Sequence, residues 1–219
     1  AIIKGNDKLV SDFANQPESM RAKLQMLRGV TYYGIHEHIP RESRYFTMIR
    51  NPVERIISHY LFRQRKGHTV TLEEFLEERP EQFNVQVVTL LGNTSRAETL
   101  RQPLDSTSVE RAKEHIRAHF SLVGLTERFD ESLVMMGKRF GWKKLYYAKK
   151  LVTPNAQRKQ ITDQQRAWLA KHTTYDMELY EWAKAEFDAM IKSQPPTFKD
   201  DLAKLAQDSA RFSRIYNAT

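Results

Sequence analysis

The chain has 219 residues, no cysteine, and 35 Lys and Arg against 27 Asp and Glu, which gives a formal net charge of +8 at neutral pH. Its content of 40% hydrophobic and 11% aromatic residues is too high for a disordered protein, and no apolar run approaches the ~18 residues of a membrane span. The lack of Cys excludes disulfides, thiolate catalysis and cysteine-bound metal sites, whereas the positive charge suits nucleic acid, an anionic lipid surface or a small phosphorylated or sulfated ligand alike.

The first third of the chain predicts a helical segment, a strand and a second helix. Apolar residues recur at mostly helical spacing over residues 8–27, and Pro17 is expected to break this segment in two. Residues 44–49 form a short apolar and β-branched run, which is typical of a buried strand. The Asn-Pro pair at 51–52 then supplies an N-cap and a proline for the first helical position, so that a helix is predicted from there to about Arg63.

Capping patterns and apolar faces predict most of the remaining helices. Capping boxes occur at Thr71-x-x-Glu74, Thr107-x-x-Glu110 and Thr162-x-x-Gln165, and each predicts the start of a helix. The spacing of apolar residues predicts two further helices, over 174–192 and, beyond a Pro-Pro pair, over 198–212.

Two further strands are predicted in the second half of the chain. Residues 120–126 favour a strand, followed by a helix over about 128–139 that Gly137 or Gly141 closes, and residues 144–147 favour a third short strand. Strands that alternate with helices predict an α/β fold with a parallel sheet. Because no repeat or long linker divides the chain, we expect a single domain.

The end of the first predicted strand carries a candidate anion site. Arg50 stands where that strand ends and a helix begins, and ligands of open α/β sheets bind beyond the carboxyl ends of the strands. A helix N-terminus offers free N–H groups and a partial positive charge to a phosphate, and Arg adds bidentate donors. Ser58 lies about two turns into the helix, on a side from which its hydroxyl could reach the same anion. The alternative is an ordinary strand–turn–helix, in which Arg50 pairs with a carboxylate and Ser58 merely packs.

The string R-N-P-x-x-R-x-x-S-x-Y that starts at Arg50 resembles the 3′-phosphate-binding motif of sulfotransferases that use 3′-phosphoadenosine 5′-phosphosulfate (PAPS). It is most similar to the branch of the heparan sulfate and uronosyl 2-O-sulfotransferases and their bacterial relatives, and residues 84–92 and 122–133 resemble further segments of that branch. The resemblance implies a helix-rich, P-loop-NTPase-like three-layer α/β fold with a central parallel sheet, and one sulfotransferase-like domain over residues 1–219. It also implies that Arg50 and Ser58 contact the 3′-phosphate of the nucleotide.

The basic segment 146–159 resembles the loop that closes over the nucleotide in this family. The resemblance places Tyr146 near the adenine, and Asn155 and Arg158 near the 3′-phosphate. The alternative is a solvated basic connector. PAPS is the expected co-substrate, released as adenosine 3′,5′-bisphosphate, and no metal is expected.

The family's phosphate loop, of the type P-K-T-x-G-T, has no counterpart in the sequence. That loop holds the 5′-phosphosulfate, and residues 2–3 resemble the strand that follows it rather than the loop itself. We therefore expect the chain as given to begin after the first strand and its loop. The alternative is a relative that has lost donor activation.

The proton acceptor also departs from the family pattern. The family has a Gly-His pair ahead of the strand that ends in the phosphate-binding Arg, and here the residue aligned with that His is Val30. His is suited to general-base work at neutral pH, and His36 is the predicted base, followed by His38. The nearby histidines His59 and His68 are alternative bases. The remaining two candidates, His115 and His119, lie on an amphipathic helix and are expected to be structural.

The sequence thus predicts a PAPS-dependent sulfotransferase that transfers a sulfuryl group to a hydroxyl of a carbohydrate or another small polar acceptor, by electrostatic positioning and a general base. One alternative is a degenerate relative that binds a nucleotide or an acidic polymer without turnover. A nucleic-acid-binding protein ranks last, because the basic stretches lack interleaved aromatic residues. The absence of Cys, signal segment and membrane anchor favours the bacterial cytoplasm over the Golgi lumen.

Overall fold

The computed structural model describes residues 2–5, 13–29, 31–92, 103–149, 155–158 and 160–216. Strands in these residues are β1 Ile2–Gly5, β2 Met26–Gly29, β3 Tyr45–Ile49 and β4 Phe120–Leu125. β1 pairs in parallel with β2, and β3 pairs in parallel with β4, so the described strands form two small parallel sheets. The predicted helix-rich α/β class with parallel pairing is confirmed.

Helices make up most of the rest of the described chain. They are α1 Glu18–Arg21, α2 Pro52–Arg65, α3 Leu72–Glu77, α4 Val85–Leu91, α5 Ser106–His119, α6 Phe129–Phe140, α7 Asn155–Arg158, α8 Asp163–His172, α9 Thr174–Lys192 and α10 Phe198–Tyr216. Short 3₁₀ turns span Ile35–His38, Pro80–Gln82 and Thr126–Arg128. Within the described residues, no helix combines the length and the apolar composition that a membrane span requires.

The junction of β3 and α2 forms as its local sequence predicts. The Asn51 side chain accepts the backbone N–H of Glu54 (3.2 Å) and Pro52 occupies the first turn, an arrangement that satisfies one of the unpaired donors at a helix start. The helix ends two residues later than predicted, at Arg65. The predicted cap, proline position and strand are therefore confirmed.

Two separate cores hold the two elements that meet at this junction. One core packs β3 and β4 against α4, α5 and α9, and includes Ile49 at the end of β3. The other packs α2 against α3 and α8, and includes Ile56 and Ile57, whose side chains are fully buried. Because each core fixes one of the two elements that meet at residues 50–51, the connection between them is rigidly placed.

Two predicted elements are wrong. Residues 144–147 do not form a strand, and the backbone N–H of Tyr147 instead donates to the Ser209 hydroxyl of α10 (3.2 Å). The helix predicted over 8–27 gives way to strand β2 at Met26, because pairing with β1 overrides the helical spacing of the apolar residues. Residues 8–12 of that segment lie outside the described residues.

Helix α5 begins with a different cap from the predicted one. The Asp105 carboxylate accepts the backbone N–H of Ser108 (2.9 Å), and the Ser108 hydroxyl accepts the backbone N–H of Asp105 (3.1 Å). Thr107 lies inside the first turn, where its hydroxyl donates to Asp105 (2.7 Å). The prediction of Thr107 is wrong because Asp two residues upstream is an equally good cap and Ser takes the reciprocal part usually played by Glu. The capping boxes that begin at Thr71 and Thr162 are confirmed.

This assignment predicts how two substitutions differ. Asp105→Ala should lower the urea midpoint of unfolding clearly, because it leaves the first N–H groups of α5 without their acceptor. Thr107→Ala should lower it less, since Thr107 only supports the cap. Urea unfolding of both variants, followed by circular dichroism, measures the difference, and a larger loss for Thr107→Ala would contradict the cap.

Candidate active site

A cavity of about 1250 Å³ is lined by β2 and β3 along their whole length and by parts of the segment that joins them. Arg50 lies on its wall at the carboxyl end of β3, and α2 contributes Arg55 and His59. Gln82 and Gln86 line the same side. At the carboxyl end of β3, the wall of the cavity therefore includes the guanidinium groups of Arg50 and Arg55 and the imidazole of His59.

The backbone of Arg50 is held by a buried polar network. Its N–H donates to Gln86 Oε1 (2.9 Å), and Gln86 Nε2 donates to the carbonyl oxygen of Arg50 (2.9 Å). Gln86 is fixed in turn by Asp176 of α9, whose carboxylate accepts the backbone N–H groups of Gln86 (3.2 Å) and Val87 (2.8 Å). Because Asp176 is fully buried, this network ties α9 and α4 to the predicted anion site.

The structure brings Arg50 and Arg158 together. Burial lowers the pKa of the Arg50 guanidinium, the positive charge of Arg158 lowers it further, and Glu127 and Glu54 oppose the change. Arg158 binds the Glu54 carboxylate, whose other oxygen accepts from Arg166 Nη1 (2.6 Å). An anion bound beside Arg50 would therefore stabilise its charge against burial and against the positive charge of Arg158.

The backbone N–H groups where β3 meets α2 already donate hydrogen bonds within the protein. The N–H of Asn51 donates to Glu127 Oε1 (2.9 Å), the N–H of Glu54 donates to the Asn51 side chain, and the N–H of Arg50 donates to Gln86. The expectation that free N–H groups at the start of α2 bind a phosphate is therefore not met by these three groups. The attraction for an anion here comes mainly from the guanidinium groups.

The other predicted nucleotide contacts are placed differently. Ser58 is half-buried on α2, one turn after Glu54, and thus on the helix face that Arg158 approaches. Tyr146 is 49% exposed, and its ring lies 4.7 Å from that of Phe212 in α10. Asn155 begins α7, but its side chain lies outside the described residues. The structure thus places Ser58 on the face of α2 that Arg158 approaches, and Tyr146 against α10.

The predicted base His36 lines the cavity, whereas His38 is not part of its wall. Burial lowers the pKa of His36, and His119 of α5 lowers it further. The ring of His36 lies 4.7 Å from that of His119, and Tyr33 stacks on His115 at 4.1 Å. Two histidines that the sequence suggested are structural therefore join an aromatic cluster beside the predicted base.

Hydrogen bonds to Tyr45 fix the form of the His36 ring. The Tyr45 hydroxyl oxygen accepts the backbone N–H of His36 (3.0 Å), and the N–H groups of His36 and Gly34 both oppose the rise in the pKa of Tyr45 that burial causes. The hydroxyl hydrogen is left to be donated, and His36 Nδ1 lies 2.9 Å from the oxygen. A neutral His36 ring held in this way carries its own hydrogen on Nε2.

Sequence reasoning missed Gln82, Gln86 and Asp176. Gln86 was part of a segment matched to the family, but that match gave it no role, and nothing local marks Asp176 as buried. Among the described residues, no three His, Asp or Glu side chains are placed to hold a metal ion.

A sequence model described as the sulfotransferase family matches residues 4–183 of the chain. Human and mouse heparan sulfate 2-O-sulfotransferase 1 are each 26% identical to it over 205 residues, which cover 81% of this chain and 56% of each relative. Mouse galactose-3-O-sulfotransferase 2 is 25% identical over 123 residues, which cover 51% of this chain and 31% of the relative. The chain thus spans 31% to 56% of the length of these relatives.

Proposed function

Because the chain belongs to the sulfotransferase family, as the motif that starts at Arg50 predicted, we propose that it transfers a sulfuryl group from PAPS to a hydroxyl of a carbohydrate or another small polar acceptor. The observation that carries the proposal is the ion pair of Arg158 with Glu54 in the first turn of α2, which sets Arg158 beside Arg50 at the carboxyl end of β3. The two arginines are 108 positions apart in the chain, and the resemblance to the family implies that both contact one phosphate.

The residues at this corner fit the 3′-phosphate of such a nucleotide. Guanidinium groups bind phosphate oxygens through two parallel N–H bonds, which gives geometric selectivity as well as charge. We propose that Arg50 and Arg158 make these bonds and that the Ser58 hydroxyl adds one. Asn155 and Tyr146 stay proposed contacts to the phosphate and the adenine. Since Arg158 already binds Glu54, a phosphate would share that guanidinium with the carboxylate or displace it.

The carbohydrate acceptor rests on the relatives. Heparan sulfate and galactose, which their names give as acceptors, are both carbohydrates, and the acceptor atom is in each case an oxygen. The cavity beside Arg50 is large enough for a sugar residue. A P-loop-like three-layer fold is part of the same proposal, supported by the parallel pairing of β3 with β4 and the helices that pack against them.

PAPS, when bound, supplies the sulfuryl group and leaves as adenosine 3′,5′-bisphosphate. The chain's own residues must hold the donor, exclude water and accept the proton that the acceptor hydroxyl loses. Two imidazoles line the cavity, those of His36 and His59. His36 is the base predicted from the sequence, and His38, the second choice, lies outside the wall of the cavity.

Transfer of radiolabelled sulfate tests the proposed reaction. We expect the full-length protein to label at least one member of a panel of desulfated glycosaminoglycans and galactose-terminated oligosaccharides when it is given [³⁵S]PAPS. Labelling should require both protein and acceptor, and excess adenosine 3′,5′-bisphosphate should suppress it. If the protein binds the bisphosphate by calorimetry but labels nothing, the alternative of a binding protein without turnover replaces the proposal. That alternative is favoured by Val30, which stands where the family has its histidine.

A further inference from the structure

His59 contributes a second imidazole to the wall of the cavity. It lies one turn after Arg55 on the same face of α2, and both side chains line the cavity. The side-chain oxygen of Gln82 lies 3.0 Å from His59 Nδ1 and 3.2 Å from Arg55 Nη1. A single amide oxygen therefore bridges the guanidinium and the imidazole.

This bridge determines which ring nitrogen of His59 carries the hydrogen. A guanidinium group only donates, so the Gln82 atom that faces Arg55 must be the oxygen. That oxygen only accepts, so the ring nitrogen that faces it, Nδ1, must donate. A neutral His59 is thereby held with its hydrogen on Nδ1 and its lone pair on Nε2. Within the described part of the chain, no other group bonds to that Nε2.

The two imidazoles of the cavity are thus held in opposite forms. His36 accepts from Tyr45 at Nδ1 and presents an N–H at Nε2, whereas His59 donates at Nδ1 and presents a lone pair at Nε2. His59 takes a proton without any rearrangement of its partners. His36 has to release the Tyr45 hydroxyl or exchange its hydrogen first.

The surroundings of His59 also keep it neutral. Burial lowers its pKa, Gln82 raises it, and the positive charges of Arg55, Arg79 and Arg63 lower it again. The Phe75 ring packs against the imidazole in a T-shaped arrangement, at a centroid distance of 5.4 Å, and adds no charge. At neutral pH the ring is accordingly ready to accept a proton.

We propose that His59, held in its proton-accepting form by Gln82, is the general base of the transfer, and that His36 donates a hydrogen bond instead. This rests on the proposed function. In the step, the acceptor O–H bond breaks and its proton forms an N–H bond at His59 Nε2. The electron pair of the oxygen forms the new O–S bond, and the sulfur–oxygen bond to the nucleotide breaks with its pair remaining on the leaving phosphate. Gln82 is a positioning residue.

A matched pair of variants separates the two imidazoles. In His59→Asn the amide nitrogen replaces Nδ1–H towards Gln82 but the Nε2 lone pair is lost, and in His36→Gln the amide nitrogen replaces the N–H at Nε2. We expect His59→Asn to lower kcat by about 100-fold or more, since a general base contributes about 10²- to 10⁴-fold, and His36→Gln to lower it by less than about 10-fold. Binding of adenosine 3′,5′-bisphosphate should be unchanged in both. Full activity in His59→Asn, with loss in His36→Gln, would make His36 the base.

The pH profile gives a readout that a structural role would not move. A base works unprotonated, so activity falls as the pH drops through its pKa, and for His59 this acidic limb should lie below the ordinary value of about 6.5. In Gln82→Glu a carboxylate faces the ring and favours the imidazolium, so the limb should move to higher pH. An unmoved limb would contradict the role of Gln82.

A third measurement does not depend on activity. Nitrogen-15 chemical shifts of the histidine rings at pH 7.5 should show His59 neutral with its hydrogen on Nδ1, and His36 neutral with its hydrogen on Nε2, with the signals assigned from the two variants. A His59 ring that is charged, or protonated on Nε2, overturns the inference even if no acceptor is found. Failure of the proposed function would show itself separately, as a wild-type protein that neither binds the bisphosphate nor transfers sulfate.

Discussion

Replacing Arg50 with Ala should weaken the binding of adenosine 3′,5′-bisphosphate by about 10- to 100-fold. Hydrogen bonds to a charged group are worth about 1.5–3 kcal/mol, and 1.4 kcal/mol corresponds to tenfold in affinity. The Arg50 guanidinium is partly buried, so water cannot replace it well. The variant should fold, because Gln86 binds the backbone of residue 50 and not its side chain.

Isothermal titration calorimetry on the full-length protein measures this loss. Arg111→Ala is the matched control, since it removes one positive charge from the exposed face of α5 and should leave the affinity unchanged. Raising the salt concentration should weaken binding to the wild type more than to Arg50→Ala, because fewer charges meet the phosphate in the variant. Equal affinities of wild type and Arg50→Ala would show that the bisphosphate does not bind at the end of β3.

The anion site at Arg50 could be predicted because the sequence features that form it are local. The apolar run of β3, the Asn51 cap and the proline after it lie within a few residues of one another, and each acts through the chain's own backbone. They place Arg50 at the end of a strand independently of any tertiary contact. Strand β2 could not be predicted in the same way, because its four residues become a strand only by pairing with β1.

The chemistry of the histidines could not be predicted for a related reason. His36 and His119 are 83 residues apart, and their proximity depends on the packing of α5 beside the 3₁₀ turn. The tautomer of the His59 ring depends on Gln82, which lies in the 3₁₀ turn Pro80–Gln82. The sequence shows which histidines are candidates, but their hydrogen-bond partners in the fold determine whether each ring nitrogen accepts or donates a proton.

The burial of Asp176 also has no local signal in the sequence. An Asp in the first turn of a helix normally faces solvent and favours the positive end of the helix dipole, and α9 has it in that position. Here the N–H groups at the start of α4 lie against it, and both oxygens of the carboxylate accept from them. The residue therefore belongs to the link between α9 and Arg50.

Asp176→Ala should lower the free energy of unfolding by about 3–5 kcal/mol. The carboxylate is fully buried, and its removal leaves the buried N–H groups of Gln86 and Val87 without an acceptor, at about 1–3 kcal/mol each. It also removes the negative charge that acts on the Arg55 guanidinium, which keeps its hydrogen bonds to Gln82. Because these contributions overlap, we expect the free energy of unfolding to fall by less than their sum.

Urea unfolding followed by circular dichroism measures the loss, with two variants for comparison. Glu186→Ala removes an exposed carboxylate from the same helix and should change the free energy of unfolding by less than about 0.5 kcal/mol. Asp176→Asn keeps an oxygen that accepts from Val87, so this variant should fold. It turns an NH₂ group towards the N–H of Gln86, however, and we therefore expect it to bind adenosine 3′,5′-bisphosphate less tightly than the wild type does. Because Gln86 joins Asp176 to the backbone of Arg50, wild-type affinity in Asp176→Asn would show that this network supports the fold without positioning the anion site.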